Sequence, residues 1–503
     1  MLKSSLKVAK STKSKKSKLL WQRLLAFALC CTLVPVFAHK TADAEVTSYC
    51  HTSPVEAKEK ESLRLQALKG NKQAQARYKQ LAQKHGQKLQ QCRNGHWLKT
   101  QAIWLRLYPC DLQPGAIDQI MDRLVNRGYS HVYVEYFYDG QVLLPSANNP
   151  TVWPSIIRAR GAEKVDLLSQ AIQRGQARGL KVYAWMYTMN FGYNYATIAS
   201  KEPAIARNGK GQTSLYVVDG SSQVFVDPYS KIAQKDYYQM VLEGLRRRPD
   251  GMLFDYVRYP RQTGQDSIAT KVTDLWLYSQ ATQQALFKRS QNYKGLDLMR
   301  RFLGKGFITA ADVQDVDKIY PQEREPLWQG RNPAIDASAI VPPELKQPQL
   351  QMDLWQLAVA HAMQGILDFV NLAAYPAQQQ GVSTGAVFFP GGNQKVGQGY
   401  DSRLQPWDRF PNTMEWHPMS YANCGRTNCI AQEVERVLSM APPGTRVIPA
   451  LAGTWGKSVS NRPSLEAQMQ ALKPFASRIQ GVSHFAYSWQ FPEHDGDRKF
   501  CRN

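Results

Sequence analysis

The amino-acid sequence predicts an α/β fold, a (β/α)8 TIM barrel with an N-terminal helical segment and a long helical insertion after its fourth strand. From residue 100 onward, short runs of β-branched and aromatic residues alternate with helical stretches, which is the pattern of parallel βα units. Eight such runs occur, and eight strands alternating with helices close most simply into a barrel. The 503 residues suffice for one large barrel, since such barrels often exceed about 250 residues. A doubly wound open sheet is the alternative.

The predicted strands are short, and helices of ordinary length separate them. The strands cover residues 102–108, 131–136, 181–187, 251–257, 385–390, 416–421, 446–451 and 481–489. The main helices between them cover residues 115–127, 165–178, 230–248, 352–371 and 464–472. Gly128 and Gly179 directly follow two of these helices, and glycine is the usual residue at that left-handed position.

The first 44 residues have the pattern of a signal peptide. A lysine-rich start precedes an apolar run, Leu24 to Ala38, that is shorter than the roughly 20 residues needed to span a bilayer. Ala42-Asp43-Ala44 offers a small-residue cleavage site. We therefore expect an exported protein, in the periplasm, the cell envelope or outside the cell. An uncleaved N-terminal anchor is the alternative, and it would provide the only membrane contact.

Two further regions are predicted around the barrel, which we assign to residues 98–503. Residues 45–97 form a basic helical segment, with helix from Val55 to Gln91 broken near Gly70. Residues 261–350 are too long for a simple loop and contain a probable helix over 273–301. This insertion follows the fourth strand, on the face where barrel active sites lie. It is either a lid or subsite wall, or a structure packed on the barrel exterior.

Six cysteines remain after removal of the signal peptide, and an even number in an exported chain indicates disulfides. Cys50 and Cys92 flank the N-terminal helical segment, and a disulfide between them could hold its ends together. Cys424 and Cys429 lie in one loop and could form a local bridge. Six cysteines allow fifteen pairings, so the full connectivity stays open.

The net charge of +23 indicates the kind of partner. An exported basic protein is attracted to anionic polymers such as those of the cell envelope, although a solvated basic face is an equally good interpretation. No nucleic-acid motif is present, so we expect no nucleic-acid partner. The nine histidines show no H-E-x-x-H pairing, and we expect neither a metal nor another cofactor.

One carboxylate stands at the end of the fourth predicted strand. The run Gly251 to Phe254 ends in Asp255, and alternation places Leu253 and Asp255 on the same face. A carboxylate at the C-terminal end of a barrel strand points to the mouth where barrel enzymes hold their active sites. Because an unpaired buried carboxylate is costly, we predict that Asp255 is catalytic. A structural ion pair with Arg258 is the alternative.

Glycoside hydrolysis requires a second carboxylate, and Glu135 near the end of the second predicted strand is the leading partner of Asp255. An ion pair between Glu135 and Arg106 inside the barrel is an equally good interpretation. Other carboxylates that follow predicted strands are Asp139, Glu493 and Asp495.

Aromatic residues gather at the predicted strand ends, where sugar rings could stack on them. Ten around one rim are more than packing alone explains. They are Tyr136, Tyr138, Trp185, Tyr187, Tyr193, Tyr195, Tyr256, Tyr259, Trp455 and Trp489.

Four segments in this order resemble motifs of the glycosyl-hydrolase-like family 10 proteins, barrels of bacterial envelopes. They are Gly179–Trp185, Val226-Asp227-Pro228, Asp250–Pro260 and His417-Pro418-Met419-Ser420-Tyr421. The likeness covers roughly residues 100–495. It implies a TIM barrel that hydrolyses a polysaccharide, such as peptidoglycan glycan strands, and it implies that Asp255 is the nucleophile or key carboxylate. At Glu135 this chain departs from the family, whose members often have an uncharged polar residue there.

These observations support two hypotheses. In the first, the protein is an exported glycoside hydrolase with Asp255 as nucleophile or stabiliser and Glu135 as acid/base. Its predicted sugar-binding residues are Arg258, Tyr136, Trp185, Tyr187, Tyr256, Tyr259, His417, Tyr421, Trp455 and Trp489. In the second, the protein is a non-catalytic glycan-binding or cell-wall-associated barrel, and Asp255 is a structural residue.

Overall fold

Eight parallel strands form the centre of the computed structural model, which describes residues 49–217, 222–333, 341–421 and 424–502. The predicted signal peptide, residues 1–44, lies outside the described residues. The described residues form one compact unit. The strands are β1 (Thr100–Leu105), β2 (His131–Tyr138), β3 (Lys181–Tyr187), β4 (Gly251–Asp255), β5 (Ser383–Phe388), β6 (Glu415–Pro418), β7 (Ala450–Ala452) and β8 (Gly481–Phe485).

The strands form a nearly closed barrel. Parallel pairing runs in the order β6-β5-β4-β3-β2-β1-β8-β7. Single parallel bridges between Trp416 and Val447 and between Met419 and Ala450 join the two outer strands of this order. The predicted (β/α)8 barrel is therefore confirmed, and the open sheet is not observed. All eight strands lie where the sequence predicts them, with ends that shift by a few residues.

Helices surround the barrel, and most of them match the prediction. They are α1 (Pro54–Leu68), α2 (Lys72–Gly95), α3 (Ala116–Asn126), α4 (Leu167–Gln176), α5 (Lys231–Leu245), α6 (Gln280–Phe287), α7 (Tyr293–Lys305), α8 (Ala310–Ile319), α9 (Pro343–Gln379), α10 (Thr427–Met440), α11 (Leu465–Leu472) and α12 (Pro492–Phe500). Gly128 and Gly179, after α3 and α4, have φ of +86° and +74°, as their predicted capping role requires. Helices α8, α10 and α12 were not predicted.

Helix α9 is longer than the predicted 352–371. It begins earlier, at Pro343, which occupies the first turn, where a missing N–H removes no helical hydrogen bond. Its composition would allow it to cross a membrane, yet 67% of its most apolar stretch is buried within the protein. It is thus the central helix between the barrel and the insertion.

Side chains that alternate along the strands fill the barrel interior. The inner cluster contains Ala102, Trp104, Tyr133, Tyr183, Trp185, Leu253, Val387 and Ala450. The residues between them, such as Val132 and Phe254, pack outward against the helices. This alternation fixes which strand-end residues can reach the mouth of the barrel.

The N-terminal helices α1 and α2 dock on the barrel through buried polar contacts. The Arg93 guanidinium donates to the carbonyl oxygen of Gly128 at 3.1 Å and to Oε1 of Gln101 at 2.6 Å. Asp122 of α3 accepts from the Tyr78 hydroxyl at 2.5 Å and forms an ion pair with Lys60 at 3.4 Å. Because these groups are buried, the helices are held at one position on the barrel.

All six cysteines of the described chain are paired. The disulfide Cys50–Cys92 links the two ends of the N-terminal helical segment, and the disulfide Cys424–Cys429 closes a loop, as predicted. The third bridge joins Cys110, after β1, to Cys501 at the end of α12. Such a set of disulfides is typical of proteins from oxidising compartments.

The insertion packs against α9, and its first segment pairs with the loop that follows β5. Its helices α6, α7 and α8 surround the N-terminal half of α9 on the barrel exterior. Its first segment follows the C-terminal end of β4, and residues 268–269 pair with residues 400–401 of a hairpin that follows β5. Packing on the exterior is therefore observed, and a lid or subsite wall stays a prediction.

Asp227 anchors the insertion to the barrel. Its Oδ2 accepts from the hydroxyl of Ser279 at 2.8 Å and from the peptide N–H of Thr282 at 2.9 Å, both at the start of α6. Its Oδ1 accepts from the peptide N–H of Tyr229 at 2.8 Å. The carboxylate thus satisfies donors at a helix N-terminus, where a negative charge is favourable.

Replacing Asp227 with alanine should destabilise the insertion. The buried donors of Ser279 and Thr282 would lose their acceptor, so we expect the free energy of unfolding to fall by about 3 kcal/mol in urea titrations and trypsin to cleave the insertion sooner. Asp266→Ala, at an exposed position of the same insertion, is the control. Equal losses in the two variants would contradict the anchoring role of Asp227.

Candidate active site

Asp255 is the last residue of β4 and lies at the C-terminal mouth of the barrel. It is paired in register with Tyr187, the last residue of β3. Its Oδ2 accepts from Nε1 of Trp185 at 3.2 Å, and its Oδ1 accepts from the peptide N–H of Tyr256 at 2.6 Å. Tyr256 has a φ of +53°, a left-handed conformation that turns the chain away from the barrel directly after the carboxylate.

The surroundings of Asp255 favour its protonated form. Burial raises the pKa of Asp255 to about 6, against the lowering effects of the Tyr256 N–H, the Arg258 charge and the Trp185 indole. Arg258 is not within ion-pair distance of Asp255; its Nη1 donates to the carbonyl oxygen of Tyr259 at 2.9 Å. A direct ion pair with Arg258, the alternative interpretation of Asp255, is not present among the described residues.

Glu135 faces the barrel interior from β2 and is 1% exposed. Both its oxygens accept from the Arg106 guanidinium: Nε donates to Oε2, and Nη2 donates to Oε1 at 3.1 Å. Burial nevertheless raises the pKa of Glu135 to about 7, because desolvation outweighs the Arg106 charge and the negative charge of Asp255 adds to it. The ion pair between Glu135 and Arg106 is therefore present, and the pKa of the Glu135 carboxyl is still near neutral.

A cavity of about 300 Å³ opens between these strand ends. Glu135 and Arg106 line it, and aromatic side chains form most of its walls. The lining aromatic residues are Trp104, Tyr108, Trp185, Phe485 and Tyr487. Asp255 adjoins the cavity through Trp185, whose ring lies 4.8 Å from that of Trp104.

Helix α12 adds a second carboxylate to the cavity. Asp495 lines it and accepts from the hydroxyl of Tyr108 at 3.1 Å. Arg498 donates to Asp495 at 3.1 Å and is itself held by Asp111 at 2.6 Å. Burial raises the pKa of Asp495. Of the three additional carboxylates named from the sequence, Asp495 lies in the cavity, whereas Asp139 and Glu493 are exposed.

Several predicted binding residues lie close to Asp255. Tyr187 stacks near Tyr256, with ring centroids 4.2 Å apart. Arg258 lies over Tyr256 at 4.5 Å. Burial and the nearby Asp255 charge raise the pKa of Tyr421, whose ring lies 5.6 Å from Phe485. Trp489 lies under the guanidinium of Arg462 at 5.5 Å, and Arg462 in turn donates to the carbonyl oxygen of Tyr421 at 2.8 Å.

Four predicted binding residues lie elsewhere. Tyr136 faces outward and donates its hydroxyl to the carbonyl oxygen of Met240 at 2.9 Å. Tyr259 is fully buried in the outer core. His417 is buried in the barrel interior, with Nε2 3.3 Å from Oε2 of Glu415. Trp455 donates to the Tyr129 hydroxyl at 3.2 Å, on the outer side of β8.

Residues that sequence reasoning missed complete the cavity. Trp104 has the inward phase of β1 and could have been found by alternation along that strand. Arg106 was named only as a possible partner of Glu135. Lys499, Tyr487 and Phe485 come from the C-terminal end of the chain, and nothing in their local sequence indicates a site.

Comparison with known proteins bears on the barrel region. Residues 95–297 match the model of the glycosyl hydrolase-like 10 family, which confirms the resemblance indicated by the sequence motifs. No curated protein matches the chain.

Two solved structures illustrate the structural likeness. The chain is similar to a β-galactosidase from the psychrophilic Marinomonas ef1, with 10% identity, coverage of 77% of this chain and 54% of that chain, and a TM-score of 0.44. It is also similar to the β-N-acetylhexosaminidase from Bacteroides fragilis NCTC 9343, with 9% identity, coverage of 81% and 65%, and a TM-score of 0.41. The chain spans about half the length of that galactosidase.

Ionisation of Asp255 should oppose folding. Its pKa rises from 3.8 to about 6 on folding, so the stabilisation from its bound proton is full below pH 3.8 and is lost as the pH rises through 6. Asp255→Asn carries no charge at any pH. We therefore expect this variant to exceed the parent protein in unfolding free energy by about 3 kcal/mol at pH 8, and by little at pH 4.

Urea titrations at the two pH values measure this difference. Asp250→Asn is the matched control, because Asp250 immediately precedes the same strand at the opposite end of the barrel and accepts from the peptide N–H of Val182 at 2.9 Å. A gain for Asp255→Asn that is the same at pH 4 and pH 8 would show that its charge is not the cause.

Proposed function

We propose that this protein is an exported glycoside hydrolase that cleaves a polysaccharide, with Asp255 as nucleophile or stabiliser and Glu135 as general acid/base. One observation carries the proposal: two buried carboxyls with raised pKa values adjoin one aromatic-walled cavity at the barrel mouth. Barrel enzymes hold their active sites at this face. The glycosyl hydrolase-like domain over residues 95–297 supports the same reaction class.

The two pKa values suggest how the roles divide. A glycosidase needs one ionised carboxylate and one protonated carboxyl in the same pH range. Asp255, with a pKa of about 6, loses its proton first, and Glu135, with a pKa of about 7, keeps its proton longer. Between these values, Asp255 would attack or stabilise the sugar cation while Glu135 protonates the leaving oxygen.

The cavity walls suit a sugar. At about 300 Å³, the cavity lies at the lower end of the size range of small-molecule sites. The faces of Trp104 and Trp185 offer apolar area for the C–H face of a sugar ring, and Arg106 and Lys499 offer hydrogen-bond donors for hydroxyl groups.

Charge and disulfides support the proposed substrate and location. Three disulfides and the lysine-rich N-terminus support export to the periplasm, the cell envelope or the medium. The net charge of the full chain is +23, and it stays strongly positive when the eight basic residues of the lysine-rich start are left out. This charge favours an anionic envelope polymer, with peptidoglycan as the leading candidate.

A non-catalytic glycan-binding barrel is the second candidate. The contact that favours it is the ion pair between Glu135 and Arg106, which would hold Glu135 as a charged structural residue. In that case the aromatic walls would bind glycan and Asp255 would only support the Trp185 indole.

Neutral isosteres of the two carboxyls separate these functions. On purified cell-wall glycan and a panel of other polysaccharides, we expect Asp255→Asn to abolish release of reducing ends. Glu135→Gln should lower the rate about 10²–10⁴-fold, the usual contribution of a general acid or base. Both variants should still bind the polymer in a pull-down assay, because the aromatic walls are intact.

Asp250→Asn, at the opposite end of the barrel, serves as the control and should retain full activity. Parent protein that binds polymers without cleaving any of them, and Asp255→Asn that binds equally well, would establish the non-catalytic barrel instead.

The pH dependence of hydrolysis provides a further test. The rate should rise as Asp255 ionises near pH 6 and fall as Glu135 loses its proton near pH 7. The Arg106 charge lowers the pKa of Glu135, so Arg106→Gln should move the upper limb of the profile to higher pH. An upper limb that stays in place in Arg106→Gln would mean that Glu135 is not the acid.

A further inference from the structure

Three arginines surround the Phe389 ring beside the Asp255 end of the barrel. The guanidinium carbons of Arg258, Arg261 and Arg403 lie 5.5, 5.8 and 4.5 Å from the ring centroid. Arg258 and Arg261 follow β4, Phe389 follows β5, and Arg403 follows the hairpin after β5. We call these three side chains the arginine cluster.

Backbone hydrogen bonds fix the two loops that carry the arginine cluster. The Tyr259 N–H donates to the carbonyl oxygen of Arg403 at 3.0 Å, and the Ser402 N–H donates to the carbonyl oxygen of Ser267 at 2.8 Å. The Gln262 N–H also donates to the hydroxyl of Ser402 at 3.1 Å. The three guanidinium groups are therefore held together by the fold of these two loops and not only by their own contacts.

The positive charge of the cluster is only partly compensated. Asp401 forms an ion pair with Arg403 at 2.6 Å. Neither Arg258 nor Arg261 has an ion pair within 4 Å in the described part of the chain, although Arg258 is only 6% exposed. Burial lowers the pKa of Arg258, and the charges of Arg403 and Arg261 lower it further, whereas Tyr256 and Asp255 raise it. Holding like charges this close is unfavourable unless an anion lies within hydrogen-bond distance, and Asp255 lies beyond ion-pair distance from Arg258.

The contacts with aromatic rings do not supply that anion. Arg258 also lies over Tyr256 at 4.5 Å, and such stacking contacts contribute modestly. A guanidinium that lies over a ring keeps the N–H groups at its edge available for planar, bidentate hydrogen bonds to an oxyanion. Among the protein groups described, Nη1 of Arg258 donates only to the carbonyl oxygen of Tyr259.

We propose that the arginine cluster binds an acidic group of the polymer, a sugar carboxylate or a phosphate, next to the unit held at Asp255. This inference rests on the proposed function and adds the site that would recognise the acidic group of the polymer. The proximity to Asp255 follows from the chain, since Arg258 lies three residues beyond that carboxylate. A sugar unit carrying the charge would then place its neighbour near the catalytic carboxyls.

Titration calorimetry with matched probes tests the proposal. The probes are trigalacturonate, its fully methyl-esterified neutral form, and glycerol 1-phosphate, all at the same ionic strength. We expect the full chain to bind at least one anionic probe about tenfold more tightly than the neutral trimer. Arg258→Gln, and separately the double variant Arg261→Gln/Arg403→Gln, should lose that preference. The double variant should bind the neutral trimer as the parent protein does.

Arg300→Gln is the matched control, because the Arg300 guanidinium lies over Phe287 at 5.7 Å, within the insertion and outside the cluster. It should keep the parent preference. Circular dichroism checks the fold of each variant, and the exposed position of Arg261 makes the single Arg261→Gln variant a safe substitute should the double variant unfold.

The anionic probe whose binding depends on the cluster identifies the source of the acidic group. Equal binding of charged and neutral trimers with no binding of glycerol 1-phosphate, or a preference that survives the cluster variants, overturns the proposal. Titrations on Asp255→Asn and hydrolysis assays on the parent protein test the two claims separately. If the anionic preference persists but the parent protein hydrolyses no polymer, the proposed function alone is refuted. If the parent protein hydrolyses a polymer without any such preference, this inference alone is refuted.

Discussion

The burial of Asp255 at the end of β4 is the constraint on which the rest of the site depends. A buried carboxylate at the barrel mouth needs hydrogen bonds that stabilise its charged form. This chain supplies two, from the Trp185 indole and from the Tyr256 peptide N–H. The first requires the register that pairs Tyr187 with Asp255 and so aligns β3 with β4. The second requires Tyr256 to adopt a left-handed conformation that non-glycine residues rarely adopt. Two donors do not fully offset the desolvation, so the carboxyl keeps a pKa of about 6.

The second carboxyl makes this constraint stronger. Glu135 is buried more deeply, and its pKa rises to about 7 partly because the Asp255 charge is near. Each group therefore makes ionisation of the other less favourable, and the two protons leave in separate steps. Arg106 moderates the effect without removing it, because its own side chain is 41% exposed and water weakens its attraction. The result is a mouth that holds one negative charge readily and two with difficulty, which suits a reaction that needs one acid and one base.

Strand alternation explains which parts of this arrangement the sequence could predict. It places Asp255, Glu135 and Trp185 in the inward phase, and all three lie where the barrel brings strand ends together. The same alternation puts Tyr136 outward, next to the inward Glu135, and its hydroxyl therefore meets α5 and not the mouth. His417 has the inward phase but is paired with Glu415 below the mouth. Strand alternation could not identify Asp495 and Lys499, because both lie on α12 and line the cavity from there. The Cys110–Cys501 bridge joins the end of this helix to the segment after β1, 391 residues earlier in the sequence.

Helix α12 brings Asp495 to the cavity, so Glu135 and Asp495 are both candidates to assist Asp255. Asp495 lines the same cavity as Glu135, and burial raises the pKa of both. Their partners differ, however. Arg498 is 1% exposed and is shared with Asp111, so Asp495 belongs to a closed ion-pair network that also holds α12. Arg106 is open to the cavity, and a sugar hydroxyl could replace its contact with Glu135. A proton donor must exchange its proton with substrate and water during each turnover. The Glu135 side chain is itself fully buried, so this exchange requires Arg106 to move, which the exposure of Arg106 permits, whereas Asp111 holds Arg498 in place beside Asp495. Glu135 is therefore the stronger candidate for the acid, and Asp495 fixes the wall against which the substrate would lie.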